Sequence, residues 1–325
     1  MRRKPYVFIT RELPDSTIEP LLDLARVSMW EESDRPVTRR RLEVEAAEAD
    51  ALLTMVSDPV DRELLEGAPN LRVVSNMGVG YDNVDLEAAN ELGILVCNTP
   101  DILTETTADL TFALLLASAR RITEASELVR SGSWQEWGPM LMAGRDVYGK
   151  TLGIVGMGRI GTAVAKRASG FNMNILYHNR TRKKETESVT GASWVELEEL
   201  LQESDFVVCL APLTEETKRM FSYEQFRRMK ETAFFINASR GGLVYEKGLV
   251  KALEERQIAG AGLDVFEEEP IDPGHPLLSF PNVTVLPHIG SASVDTRKEM
   301  ARMASRNIAH VLKGYRPKAI VNRVE

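Results

Sequence analysis

Acid–base chemistry near neutral pH usually begins with an imidazole, and the chain has four histidines. His310 lies in a C-terminal amphipathic stretch. His178 closes an apolar run, and His275 sits in the turn Asp272-Pro-Gly-His275-Pro. Each of these three reads as structural or solvated. His288 differs, because it follows Val283-Thr-Val-Leu-Pro287 and precedes Ile289-Gly290-Ser-Ala, the place where a strand ends. Two other apolar segments also run out into charge: Ile236-Asn-Ala-Ser-Arg240, and Leu263-Asp264-Val-Phe-Glu-Glu-Glu269. A cation, two carboxylates and an imidazole on one sheet rim would form an acid–base site for a 2-oxo acid.

Glycine marks a second chemistry. Thr151-Leu-Gly-Ile-Val155 runs straight into Gly156-Met-Gly158-Arg159-Ile160-Gly161, and a helical pattern follows from Thr162 to Ala168. Between a strand and a helix, the first glycine makes the tight turn and the second leaves room for a pyrophosphate. The third lets helix and strand pack closely. The helix N-terminus then offers backbone N–H groups and a positive dipole end to the phosphates. NAD-selective sites place an acidic residue about 20 positions further on, against the adenosine ribose. Here that stretch is Tyr177-His178-Asn179-Arg180-Thr181-Arg182-Lys183-Lys184, with no carboxylate before Glu185. Asn179 does not repel a 2′-phosphate, and Arg180, Thr181 and Arg182 can grip one. NADP(H) is therefore the expected preference over NAD(H); the alternative is a solvated basic loop.

These groups must be positioned by a scaffold, and 325 residues is about two domains' worth of chain. Short apolar runs alternate with amphipathic stretches, the pattern of βαβ units and parallel sheets. Expected strands in the first third are Tyr6 to Thr10, Arg26 to Trp30, Ala51 to Met55, Leu71 to Asn76 and Ile94 to Cys97. A buried connecting helix is expected from Asp101, as N-cap, to about Ile122, followed by a loop from Ser131 to Gly149. Six strands follow, beginning at Thr151, Asn174, Phe206, Ala233, Ala261 and Val283, which is the dinucleotide-binding count. The amphipathic helix Val294 to Leu312 would carry the chain back, so that the first domain is built from both chain ends.

A net charge of −8 argues against nucleic-acid or anionic-membrane partners. No apolar run approaches the ~20 residues of a membrane span, and Arg11 and Glu12 interrupt the first apolar stretch too early for a signal peptide. Cys97 and Cys209 lie within apolar strands, as reduced buried thiols do. A cytoplasmic protein without a metal site is expected.

Five motifs in order and spacing resemble the D-isomer-specific 2-hydroxyacid dehydrogenases over nearly the whole length: Gly156 to Gly161, Leu210-Ala-Pro212-Leu-Thr-Glu-Glu-Thr217, Ile236 to Gly242, Gly262 to Pro270, and Leu286 to Ala292. The similarity is greatest to the glyoxylate and hydroxypyruvate reductases and their 2-ketogluconate reductase relatives. The resemblance implies an α/β fold of two doubly wound parallel-sheet domains. A Rossmann dinucleotide-binding domain, 101–291, would be inserted in a smaller flavodoxin-like substrate domain, 1–100 and 292–325. It implies NAD(P)H-dependent reduction of glyoxylate or hydroxypyruvate to the D-2-hydroxy acid. Arg240 would bind substrate, His288 would act as general acid or base, and Glu269 would be its partner, favouring the charged imidazole. Thr107, Pro212, Thr217, Ala238, Asp264 and Gly290 match cofactor-lining positions, Asp264 accepting from the nicotinamide carboxamide or acting as a structural cap. Val79 and Gly80 match a loop whose amides hold the substrate carboxylate. Leu53, beside Val56-Ser57-Asp58, would line the pocket or serve as plain core.

The family also implies a homodimer joined through about 101–149, where Leu141 stands in place of an aromatic residue and leaves substrate size open. Two alternatives remain at this stage. One is 2-ketogluconate reduction. The other is a non-catalytic NAD(H)-sensing protein like the C-terminal-binding-protein corepressors, which share the fold and the catalytic trio.

Overall fold

The computed structural model describes residues 3–324. The chain divides into two units, one built from the residues up to Leu103 together with those from Ala292 onward, the other from Thr104–Ser291.

The first unit is a five-stranded parallel sheet of β1 (Tyr6–Ile9), β2 (Arg26–Met29), β3 (Ala51–Met55), β4 (Val73–Met77) and β5 (Leu95–Cys97), in the order β2-β1-β3-β4-β5. Helices on both faces explain why β1 and β3 read as continuous apolar runs instead of alternating ones. On one face Phe8, Leu52, Val74 and Val96 pack with Leu42, Leu64 and Ala88 from the helices between the strands. On the other lie the helices Asp15–Leu22 and Val294–Leu312. The latter is capped by Ser293, whose Oγ accepts from Thr296 N at 3.2 Å. Asn307 Nδ2 donates to Asn98 O at 3.1 Å and the Asn322 side chain receives Val96 N at 2.8 Å, so the C-terminal segment is stitched to β5. Strand order in this sheet reverses between β1 and β3, and doubly wound sheets bind ligands at the carboxyl ends flanking such a reversal.

The second unit is a seven-stranded parallel sheet: β6 (Thr151–Val155), β7 (Asn174–His178), β8 (Ser193–Trp194), β9 (Phe206–Cys209), β10 (Phe234–Asn237), β11 (Gly260–Leu263) and β12 (Val283–Val285). Their order is β12-β11-β10-β9-β6-β7-β8. The reversal here falls between β6 and β9. The sequence suggested six strands in this unit; the extra one, β8, is a two-residue edge strand too short to show an apolar run.

The connecting helix also departs from expectation. Asp101 has φ +71 and is no N-cap; the helix runs Thr104–Ala119 and buries Phe112, Leu114 and Leu115. Arg121, at φ +53, then breaks the path, and Ile122–Arg130 forms a separate helix with no buried residue. Both cysteines are buried and free, and burial pushes each thiol up to about 12, which leaves neither as a nucleophile. Among the described residues no helix is long and apolar enough to cross a membrane, and no cluster of three or more His, Cys, Asp or Glu side chains could hold a metal ion.

Candidate active site

Apart from Thr107, which lies in the helix Thr104–Ala119, the chemistry-bearing segments of the second unit leave carboxyl ends of its strands. The turn after β6 is held open by geometry that excludes side chains. Gly156 sits at φ +104, and a Cβ there would stand 2.5 Å from Ala211 N and Leu210 C, the backbone that follows β9. By contrast, a Cβ on Gly158 would meet no atom within 4 Å. That open space lies at the start of the helix Arg159–Ser169, whose first N–H groups lack intrahelical acceptors. A pyrophosphate fits such a cradle.

The adenosine end divides what the sequence grouped together. Asn179 is turned onto the glycine turn: its Oδ1 accepts from Met157 N at 2.7 Å and its Nδ2 donates to Met157 O at 3.2 Å. Arg182 is tied by two bonds, 2.7 and 2.8 Å, to Glu187, which also accepts from Tyr177 Oη at 2.7 Å. Arg182 first, and then Tyr177, hold the Glu187 carboxyl down to about 2. Arg180 is exposed and pairs with Glu216 at 2.6 Å, while Thr181 is exposed beside it. Pro212 and Thr217 belong to one turn, in which Thr217 Oγ1 donates to Pro212 O at 2.7 Å. Glu187 and Glu216 were not anticipated. Glu187, five residues from Arg182, could have been read as a local charge pair; Glu216 is 36 residues from Arg180 and could not.

The catalytic candidates converge on the strand ends of β10, β11 and β12. Asn237, the last residue of β10, folds the next turn back: its Nδ2 donates to Arg240 O at 3.0 Å and its Oδ1 accepts from Ser239 N at 3.1 Å. Ser239 Oγ donates to Ala211 O at 2.6 Å, and Ala238 between them is buried. The backbone at Gly241 lies directly on the Phe266–Glu267 peptide, where a Cβ would come within 1.8 Å of Phe266 C and O. The Arg240 segment is thereby pressed against the segment that carries Glu269. Glu269 Oε1 accepts from Phe266 N at 3.0 Å, and its Oε2 lies 2.7 Å from His288 Nδ1.

His288 occupies the left-handed region at φ +54, a conformation uncommon outside glycine. Three bonds from one residue hold it there: His288 N donates to Asp264 O, Ile289 N to Asp264 Oδ1 and Gly290 N to Asp264 Oδ2, each at 2.8 Å. Asp264 is 1% exposed, and burial raises its carboxyl pKa against the lowering effect of those amides. A Cβ on Gly290 would lie 3.2 Å from Asp264 Oδ2 and 3.4 Å from Thr107 Cγ2, so Thr107, Asp264 and Gly290 share one spot.

Burial alone would raise the Glu269 carboxyl. The hydrogen bond and charge of His288, the Phe266 N–H and the Arg240 charge outweigh it and hold the group below the ordinary carboxylate range. A carboxylate lowered on folding stabilises the fold above its unfolded pKa, and that contribution is lost as pH falls through the folded value. The Tm difference between the wild type and Glu269→Gln is thus expected to be largest above about pH 5 and to shrink toward about pH 3. Melting curves across that range check it, and a gap that widens in acid would contradict it.

With Nδ1 on the carboxylate, His288 Nε2 has no partner among the described residues, and the ring remains 30% exposed. It is the atom able to give or take a proton. His178 Nδ1 contacts Val195 O at 2.9 Å. His275 also meets a carboxylate, its Nε2 lying 3.3 Å from Glu246 Oε2, but its Nδ1 accepts from Leu277 N at 3.3 Å, so both of its ring nitrogens are engaged.

In the first unit, Leu53 is fully buried within β3. The Val79 and Gly80 carbonyls are anchored by Asn98 Nδ2 at 2.9 Å and Asn76 Nδ2 at 3.0 Å. Among the described residues neither N–H of that pair finds an acceptor. Leu141, Trp134 and Trp137 are all exposed.

Residues 112–290 match a family model described as D-isomer specific 2-hydroxyacid dehydrogenase, NAD binding domain. The chain is 50% identical over 321 residues to a glyoxylate reductase of Korarchaeum cryptofilum, covering 98% of this chain and 96% of that one. Among solved structures it is similar to a protein from Thermus thermophilus, with TM-score 0.90, 44% identity, and coverage of 97% of this chain and 99% of that one. It is also similar to an NADPH-dependent glyoxylate/hydroxypyruvate reductase from Sinorhizobium meliloti in complex with NADP and malonate. There the TM-score is 0.84 at 33% identity, covering 98% of this chain and 97% of that one.

Proposed function

We propose, since this chain belongs to the D-isomer specific 2-hydroxyacid dehydrogenase family, that it reduces glyoxylate and hydroxypyruvate to the corresponding D-2-hydroxy acids with NADPH. That it is an oxidoreductase using a nicotinamide cofactor follows from family membership. The substrates, the cofactor preference and the residue roles are our proposal. The observation that carries it is the 2.7 Å contact of His288 Nδ1 with Glu269 Oε2, on a turn fixed by Asp264 and beside the Arg240 segment.

When bound in the cradle at Gly156–Gly161, the nicotinamide dinucleotide supplies a hydride. The residues of this chain do the rest. His288 Nε2 protonates the carbonyl oxygen as negative charge grows on it, and Glu269 fixes the ring through Nδ1. Arg240 binds the carboxylate and polarises the carbonyl. Leu53, Val79 and Gly80 remain the substrate-binding candidates of the first unit, the latter two through backbone N–H groups. Thr107, Asp264 and Gly290, with Ala238, Pro212 and Thr217, line the cofactor. Arg180, with Thr181, takes the 2′-phosphate of NADP(H); Arg182 and Asn179 shape the loop that presents them.

The test is loss of NADPH absorbance with glyoxylate or hydroxypyruvate. Robust turnover supports the reading, whereas tight NADPH binding without turnover of either acid would favour a sensing protein. The exposed apolar residues Ile122, Val129, Trp134, Trp137 and Met140 favour a homodimer through this region. Sedimentation velocity is expected to show twice the chain mass; a monomer at micromolar concentration would refute it.

A further inference from the structure

Arg11 and Ser57 lie outside every role described so far. They lie two residues beyond the carboxyl ends of β1 and β3, the two strands that flank the order reversal of the first sheet. Arg11 is a buried cation, 8% exposed. Its Nη1 donates to Thr10 O at 2.7 Å and to Asp58 Oδ1 at 3.1 Å, and its Nη2 donates to Ser57 Oγ at 3.3 Å. Asp58 is itself buried and receives Met55 N at 2.8 Å and the Thr10 hydroxyl, so the ion pair is anchored on β1 and β3 together. Anchoring the two strands accounts for Asp58 but not for the third arm, a buried guanidinium holding an exposed serine. Because Ser57 Oγ accepts from a cation, its own O–H is left to donate, and the charge behind it makes it a stronger donor.

The same rim carries the Gly78–Gly80 turn. A Cβ on Gly78 would stand 2.3 Å from Val56 Cγ1. Asn83 Nδ2 donates to Met55 O at 3.2 Å and Asp58 O at 2.8 Å, and Asn76 Nδ2 donates to Asn83 Oδ1 and Gly80 O, both at 3.0 Å. The serine and the Val79–Gly80 amides therefore belong to one bonded assembly within this unit.

We infer that the Ser57 hydroxyl, held by Arg11, is a specificity subsite for an oxygen on C3 of the 2-oxo acid whose carboxylate lies on the Val79 and Gly80 amides. The inference rests on the reading of substrate class given under Proposed function, and it selects 3-hydroxy-2-oxo acids, hydroxypyruvate being the smallest. Glyoxylate has no third carbon and leaves the subsite unfilled. Arg11 is the positioning residue and Ser57 the contact.

The experiment compares kcat/KM for hydroxypyruvate and for glyoxylate, with NADPH, in the full chain and in Ser57→Ala. The hydroxypyruvate-to-glyoxylate ratio is expected to fall about tenfold in the variant, because only one of the two acids loses a hydrogen bond. Ser57 is exposed and its Oγ makes one bond, so the variant should keep the wild-type melting temperature. A ratio that does not move, in an enzyme that turns over both acids, overturns the subsite. A wild-type enzyme that turns over neither acid overturns the reading beneath it.

Discussion

Replacing His288 by asparagine is expected to lower kcat by about 10³-fold, with the Kd for NADPH kept within about twofold. Asparagine is chosen for the backbone: position 288 has φ +54, and asparagine tolerates the left-handed region better than most residues. The three bonds from residues 288–290 to Asp264 use main-chain N–H groups and so survive the change. The amide can still bond Glu269. What disappears is the proton on Nε2, and a positioned general acid contributes about 10² to 10⁴ in rate. Steady-state kinetics with a fluorescence titration of NADPH separate the two quantities. Turnover near the wild-type level would remove His288 from the mechanism.

The second large effect is on cofactor choice. Arg180→Asp is expected to reduce kcat/KM with NADPH by about 100-fold and to change that with NADH by less than about threefold. The substitution replaces a charge-assisted contact to a phosphate with a repulsion, and NADH has no 2′-phosphate to feel either. The existing partner matters here. Glu216 holds Arg180 at 2.6 Å, and since both side chains are exposed the pair is weak enough for a phosphate to displace. Arg182 cannot substitute, because its guanidinium is committed to Glu187 through two bonds. Parallel kinetics with both cofactors decide the matter, and equal losses would show that Arg180 does not read the phosphate.

Much of the scaffold was legible because parallel strands covered on both faces are continuously apolar, as in Tyr6–Ile9 and Phe206–Cys209. The terminal helix Val294–Leu312 showed its amphipathic period. Elements without an apolar signature were not legible. Strand β8 has two residues, and the helix Ile122–Arg130 buries none of its side chains. The start of the connecting helix was misplaced because aspartate is favoured both as an N-cap and in left-handed turns, and Asp101 takes the second role.

At the site, residue type and strand-end position pointed to His288, Glu269 and Arg240, but which atoms meet was not readable from one dimension. The Asp264 bonds to two consecutive amides, the Asn179 bonds to Met157 and the Gly241 contact with Phe266 all join segments distant in sequence. Arg11 carries no signal in one dimension, since an arginine shortly after a strand is ordinarily solvated, and only burial against Asp58 marks it otherwise.

The most direct test of hydride transfer to a 2-oxo acid uses NADPH deuterated at the transferred C4 position, with hydroxypyruvate as acceptor and the product examined by NMR. One deuterium at C2 of a D-2-hydroxy acid for each cofactor oxidised is the result expected. Cofactor oxidation that leaves C2 of the acid unlabelled, or an acid recovered unreduced, would contradict the proposed reaction.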